Sequence, residues 1–175
     1  VINVIIDKAY VFYDLYLAHY DRIIVSIWFI VICAKIVIMY FNVNYIAKLY
    51  RTKRALINRK IEEILQVINN QLKLKEKVRL FESSILKTPV VVGYLKPIIL
   101  LPVGLATSLT YDQIEAILAH EMAHIKRKDF LVNIIQSAIE IIFFFNLPVL
   151  WISSMIRNER EKCCDDIALK ITRNK

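Results

Sequence analysis

Thr110-Tyr-Asp-Gln113-Ile-Glu-Ala-Ile-Leu-Ala-His120-Glu121-Met-Ala-His124-Ile-Lys-Arg-Lys128 is the stretch on which the reading of this 175-residue chain turns. A hydroxyl at Thr110 with Gln113 three residues on is a capping box, in which each side chain serves the other's backbone N–H at a helix start. The spacing predicts a helix over residues 111–128 with Ile114, Ile117, Leu118 and Met122 on its apolar side. Residues four apart share a helix face, so His120 and His124 can reach one metal ion, and the HExxH spacing suits zinc. Glu121 follows the first of these ligands and can approach the attacking water as general base. The chain has three histidines and two of them fall in this motif, which weighs against two unrelated surface side chains.

A catalytic zinc needs a third protein ligand and an open position. The later run Asn158-Glu159-Arg-Glu161-Lys-Cys163-Cys164-Asp165-Asp-Ile-Ala168 offers one. In a helix Glu161 and Asp165 lie on one face, which fits Glu161 as ligand and Asp165 as acceptor for a histidine N–H, fixing that histidine's tautomer. Glu159, Cys163 and Cys164 compete for the ligand role. Cys164 lies three positions from Glu161 on nearly the same face, but a thiolate would lower the Lewis acidity of a hydrolytic zinc. The two adjacent cysteines read more simply as small packing residues.

Upstream of the helix, Pro89-Val-Val-Val-Gly93-Tyr94-Leu-Lys-Pro97-Ile-Ile-Leu-Leu-Pro102 is β-branched, short and punctuated by proline. It predicts two strands, 90–94 and 98–101, paired as a hairpin with the prolines at strand ends or edges. Beside a zinc site, either strand could pair with a peptide backbone by adding it to the sheet edge. The substrate-facing candidates are Val90, Val91, Val92, Gly93 and Tyr94.

Further out, composition points to a membrane. Apolar residues make up 57% of the chain, mean hydropathy is +0.47, and there are only two glycines, which excludes a collagen-like or disordered chain and argues against an all-β sandwich. Residues 23–41 carry one charge, Lys35, over 19 positions, and at 1.5 Å per residue they reach about 28 Å, close to the hydrocarbon thickness. From residue 46 to 80 there are ten basic residues against three acidic ones. By the positive-inside rule this block is cytoplasmic and the N-terminal 22 residues, an interfacial or extracellular segment, lie outside. His19 there reads as a surface residue. The basic segment, with Ile57, Ile61, Ile64, Leu65, Ile68 and Leu72 at helical spacing, reads as an amphipathic helix or helix pair.

Residues 130–145 and 149–156 form a second apolar segment broken at Asn146-Leu147-Pro148 and basic on both flanks. Both flanks then belong in the cytoplasm, and the segment becomes a membrane-embedded helical hairpin over 130–156, as the return of Glu161 to the histidines also requires. Glu140 within it should face protein or water. The expected layout is therefore 1–22, a transmembrane helix over 23–45, a basic cytoplasmic helical segment over 46–87, and a zinc-binding domain over 88–175. With no cationic n-region and no small-residue cleavage site, the valine-initiated chain is expected to carry no signal peptide.

The runs PVVVGYLKPIILLP, AILAHEMAHIKRKDF and NEREKCCDDIAL together resemble the BlaR/MecR antirepressor metallopeptidases, integral-membrane gluzincins of metallopeptidase family fifty-six. The resemblance covers residues 87–169. It implies a mainly α fold with a small β-hairpin or sheet, of α+β gluzincin type, plus transmembrane helices. It also implies zinc held by His120, His124 and Glu161, Glu121 as catalytic base and Asp165 in support. A protein substrate such as a DNA-binding transcriptional repressor, residence in the bacterial cell membrane and a penicillin-binding sensor domain, absent from these residues, follow from the resemblance alone. CAAX-processing and heat-shock membrane proteases share HExxH with a later E-x-x-A-D and are the more distant resemblance. The expected function is a multi-pass zinc endopeptidase with its active site facing the cytoplasm. The alternatives are a quality-control protease of that second kind or a non-catalytic membrane adaptor. Direct nucleic-acid binding is not expected, since the basic segment abuts a membrane span and carries no recognition motif.

Overall fold

The computed structural model describes residues 2–14, 20–51, 54–55, 58–93 and 96–173. His19, Ile57 and Tyr94 lie outside the described residues. The chain divides into two compact units, Val1–Asn42 and Val43–Lys175.

The first unit holds α1 (Ile2–Phe12) and the start of α2 (Asp21–Arg51). Tyr13 Oη donates to Asp21 Oδ2 at 2.7 Å at the start of α2. The stretch Asp21–Asn42 is long and apolar enough to cross a membrane, and none of it is buried against protein. Such a helix, apolar on every side, has no polar face to offer water.

The second unit continues with β1 (Arg54–Ala55), α3 (Arg59–Leu72), β2 (Arg79–Ser83), β3 (Val90–Val92), β4 (Ile98–Pro102) and α4 (Leu105–Ser108). It closes with α5 (Tyr111–Arg127), α6 (Asp129–Ile142) and α7 (Leu147–Arg173). The fold is thus mainly helical with a small mixed sheet, in the order β1-β2-β4-β3. The expected hairpin is present as β3 antiparallel to β4, Val91 opposite Ile99.

The segment 46–87 is not helical throughout. Helix α2 runs on to Arg51, α3 forms the amphipathic helix, and the segment also contributes the strands β1 and β2. Asn58 caps α3 by accepting from the Ile61 N–H, and Lys73 closes it in the left-handed conformation. Strand β2 is short, and its signal is its parallel pairing with β4, Leu80 opposite Ile99, a long-range contact with no counterpart in the local pattern. Strand β4 is therefore central, with neighbours on both sides. Of the two strands offered as a substrate-facing edge, only β3 holds an edge position.

One core is built where α3 (Ile61, Leu65, Ile68), α5 (Ile114, Leu118, Met122) and α7 (Ala168, Ile171) meet Leu80, Ile99 and Leu101 of the sheet. Alternate residues of β4, Ile98 and Leu100, point to the other face and pack with Val92, Phe81 and Leu86. Burying each such Leu or Ile contributes roughly 1.5–3 kcal/mol, so the sheet and α3 clamp α5 firmly.

The break after α6 falls at residues 143–146, slightly earlier than the sequence suggests. Asn146 Oδ1 accepts the Val149 N–H at 3.2 Å, and Pro148 sits in the first turn of α7, where a missing N–H costs nothing. From there α7 runs unbroken, so the apolar return arm and the Glu161–Asp165 motif are one helix.

Candidate metal centre

The capping box forms as expected: Thr110 Oγ1 accepts the Gln113 N–H at 3.3 Å, and Gln113 Oε1 accepts the Thr110 N–H at 3.0 Å. It fixes the start of α5, and the buried Leu118, Ala119, Met122 and Ala123 fix its rotation. His120 and His124 are thereby turned toward α7. Their Nε2 atoms lie 3.2 Å apart. Glu161 Oε2 completes a triangle, 3.6 Å from His120 Nε2 and 3.7 Å from His124 Nε2. A tetrahedral zinc with bonds of about 2.0–2.2 Å requires donor atoms about 3.3–3.6 Å apart. Two imidazoles and one carboxylate, with a fourth direction open, match the donor set of a catalytic zinc site, so these residues could hold that ion.

Each histidine is oriented from behind. His120 Nδ1–H donates to Asp165 Oδ1 at 2.8 Å, the contact expected of Asp165. His124 Nδ1–H donates to Asp129 Oδ2 at 2.8 Å, a contact sequence reasoning missed. The two acceptors differ in burial: the Asp165 side chain is 64% exposed, that of Asp129 10%. Asp129 stands five residues after His124, which on a continuous helix is about 140° round the axis and out of reach. The helix does not continue. Lys128, at φ 58°, ends α5 in the left-handed conformation and α6 starts at Asp129. The signal available in sequence was the charge-rich Lys126-Arg-Lys-Asp129 run, which carries no glycine to mark a turn.

The rival ligands take other places. Glu159 pairs with Lys162 at 2.7 Å on the exposed side of α7. Cys164 is fully buried, its Sγ 3.4 Å from His124 Nδ1 and 3.5 Å from Asp129 Oδ2, on the far side of the ring from the donor triangle. Burial, then the Asp129 carboxylate, push its thiol up to about 12, so it stays protonated. Cys163 is half-buried beside it. Glu121 is partly buried, and burial holds its carboxyl above the usual range while the neighbouring histidines pull it down.

Beside the donor triangle opens a cavity of about 490 Å³ whose lining includes His124 and Glu161, Val91 and Gly93 at β3, and Arg160 and Asn133. Gly93 has φ +92°, and a Cβ there would meet the Lys96 carbonyl oxygen at 2.9 Å. A side chain at 93 would therefore both strain the turn and narrow the cavity. Glu140 faces protein, as expected: it accepts from Ser153 Oγ and, at 2.6 Å, from Arg157 Nη2 across the α6–α7 pair. Its companion on α6 is Gln136, which is buried and donates to the Ser153 carbonyl at 2.6 Å, whereas Asn133 is exposed.

Against known proteins, a family described as BlaR1 peptidase M56 matches residues 9–175. The regulatory protein BlaR1 of Bacillus licheniformis is 25% identical over 150 residues, 86% of this chain and 25% of that protein. The methicillin resistance MecR1 proteins of Staphylococcus aureus and Staphylococcus epidermidis are 34% identical over 113 residues, 63% of this chain and 19% of theirs. The chain therefore spans about a quarter of the length of the first relative and about a fifth of the others.

Proposed function

Because the chain belongs to the BlaR1 peptidase M56 family, we propose that it is a membrane-bound zinc endopeptidase whose centre is His120, His124 and Glu161, with Glu121 as general base. The observation that carries this reading is the convergence of His120 Nε2, His124 Nε2 and Glu161 Oε2 within 3.2–3.7 Å of one another.

When bound, zinc supplies Lewis-acid polarisation of the scissile carbonyl and makes a water acidic near neutral pH. The chain's own residues do the rest. Glu121 takes the proton from the attacking water and passes it to the departing amine nitrogen, which balances the hydrolysis. Asp165 keeps the His120 imidazole with Nδ1 protonated and Nε2 free to ligate. Strand β3, at the sheet edge with Val91 and Gly93 on the cavity, is where an extended substrate would pair, Val90 and Val92 sharing that strand.

The layout proposed for the chain is the one expected from sequence: a span over 23–45, a basic segment over 46–87 inside, and a peptidase domain over 88–175 whose hairpin 130–156 enters the bilayer. What supports it is the apolar stretch of α2, none of it buried, the positive-inside bias of its flanks, and exposed apolar residues on α6, the following turn and α7 such as Ile135, Phe145 and Trp151. The names of the relatives, a regulatory protein and resistance proteins, support a regulatory role, and the family resemblance adds a protein substrate such as a transcriptional repressor in the bacterial cytoplasm.

Metal analysis of the purified chain tests the centre, with about one zinc per chain expected and none overturning it. Single cysteines at positions 55 and 147 in a cysteine-free background test the layout in intact cells. Labelling of position 55 by an impermeant reagent from outside would overturn the cytoplasmic site.

A further inference from the structure

We infer that Asp129 is a positioning residue for this reaction, one that acts through His124 Nδ1 and sets the tautomer and ring angle with which Nε2 meets the metal. The inference rests on the zinc-peptidase reading above and adds a residue to it.

The backbone makes the contact. Lys128 is the sole residue between α5 and α6, and its left-handed conformation (φ 58°, ψ 37°) returns the chain on itself while its N–H bonds back to the His124 and Ile125 carbonyls. The turn is closed on the same residue whose ring it serves. Asp129 becomes the first residue of α6 and places its carboxylate behind the ring.

The carboxylate is then held from several directions. Cys164 Sγ–H donates to Oδ2, Arg127 Nε lies 3.5 Å from Oδ1, and Arg160 Nη1 donates to the Asp129 backbone carbonyl at 3.4 Å. A carboxylate so buried survives as a charge only with such partners. Three helices thus meet at Asp129: α5 through Arg127 and α7 through Cys164 at its carboxylate, α7 again through Arg160 at its backbone carbonyl, and α6 through Asp129 itself. The His124, Asp129 and Cys164 atoms also come close enough together to suggest a second metal group. His124 Nδ1, however, already has its hydrogen bond at 2.8 Å and stands behind the ring whose Nε2 joins Glu161. The cluster therefore buttresses the first site.

The test is the zinc affinity of the full chain purified in detergent, by competition with a chromophoric chelator. Asp129→Ala and the isosteric Asp129→Asn are compared with wild type and with His124→Ala. Asp129→Ala is expected to bind zinc about 10–100-fold more weakly. Asp129→Asn should fall between, because its amide oxygen still accepts the Nδ1–H without the charge. The 15N signals of the His124 ring in metal-free protein give a readout that a merely structural role would not move. At alkaline pH, where the ring is neutral, wild type should favour the Nδ1–H tautomer and Asp129→Ala should show a more even mixture. Folded variants with wild-type zinc affinity and an unchanged ring spectrum would overturn the inference while leaving the peptidase reading intact. A wild type that binds no zinc overturns that reading and the inference with it. Should Asp129→Ala not fold, Asp129→Asn alone decides between these outcomes.

Discussion

His120 and His124 sit one turn apart on α5, and each gives its Nδ1–H to an aspartate at 2.8 Å. The aspartates reach them by opposite routes. Asp165 comes from α7, far along the chain, and remains largely in solvent; Asp129 comes from the next helix after a single-residue turn and is buried among Cys164, Arg127 and Arg160. Hydrogen bonds of equal length are not equal in energy. In solvent, water can replace Asp165 and salt screens it, whereas Asp129 is nine-tenths covered by protein and far less open to either. His124 is therefore the fixed point of the centre and His120 the adjustable one, with Glu161 and Asp165 arriving together on α7.

The largest expected effect cuts through this comparison rather than along it. Glu121→Gln should lower hydrolysis by roughly 10²–10⁴-fold while keeping the metal, because the amide cannot take the proton and Glu121 is not among the donors. Mass-spectrometric cleavage of a peptide library, paired with metal analysis, measures both. Loss of zinc in Glu121→Gln would mean that Glu121 itself holds the ligands, and the contrast between the two aspartates would lose its meaning.

Next comes the platform that the histidines share. Leu118→Ala removes a fully buried side chain from the contact of α5 with α3 and the sheet. It should cost about 2–5 kcal/mol in denaturant unfolding, and disturb both histidines alike. Thr110→Ala deletes half of the capping box and should cost about 1 kcal/mol, again without favouring either histidine. If either change weakened His120 support alone, α5 could not be the rigid common base described.

The smallest effect sharpens the comparison most. Asp165→Asn should weaken zinc binding only about two- to fivefold, below the 10–100-fold range set for a full supporting partner. Raising salt to 1 M, where the screening length is about 3 Å, should shrink that difference further but leave any Asp129→Asn difference in place. Equal losses and equal salt responses would erase the distinction between the two histidines.

What the sequence made legible follows from locality. The capping box, the helix it opens, the HExxH face and the β3–β4 hairpin all depend on residues within a few positions, and each was found where expected. Glu161 and Asp165 were legible because their i, i+4 spacing shows on one helix, whichever way that helix later packs. The missed elements each depend on something non-local or on a conformation without its usual residue. Strand β2 exists by pairing with β4, and β1 by pairing with β2. The contact of Asp129 depends on Lys128 taking φ 58°, a conformation normally read from glycine or asparagine. Which polar residue of α6 accompanies Glu140 is likewise not local information: Gln136 and Ser137 are neighbours in sequence, and the packing of α7 brings Ser153 to Gln136.

Helix α7 is an unbroken rod of 27 residues, about 40 Å long, with exposed Trp151, Ile152 and Met155 toward one end and Glu161 and Asp165 farther along. The histidines ride on a different rod, α5. Mechanically the centre is a joint between two stiff bodies, and sliding one along the other would separate its donors. A slip of a single residue's rise, about 1.5 Å, far exceeds the roughly 0.2 Å tolerance of a metal–ligand bond. Such a slip would withdraw Glu161 and Asp165 in the same stroke, leaving His120 without its acceptor while Asp129 still held His124. A push or pull on the first turns of α7 therefore reaches the centre as a displacement undiminished by any hinge.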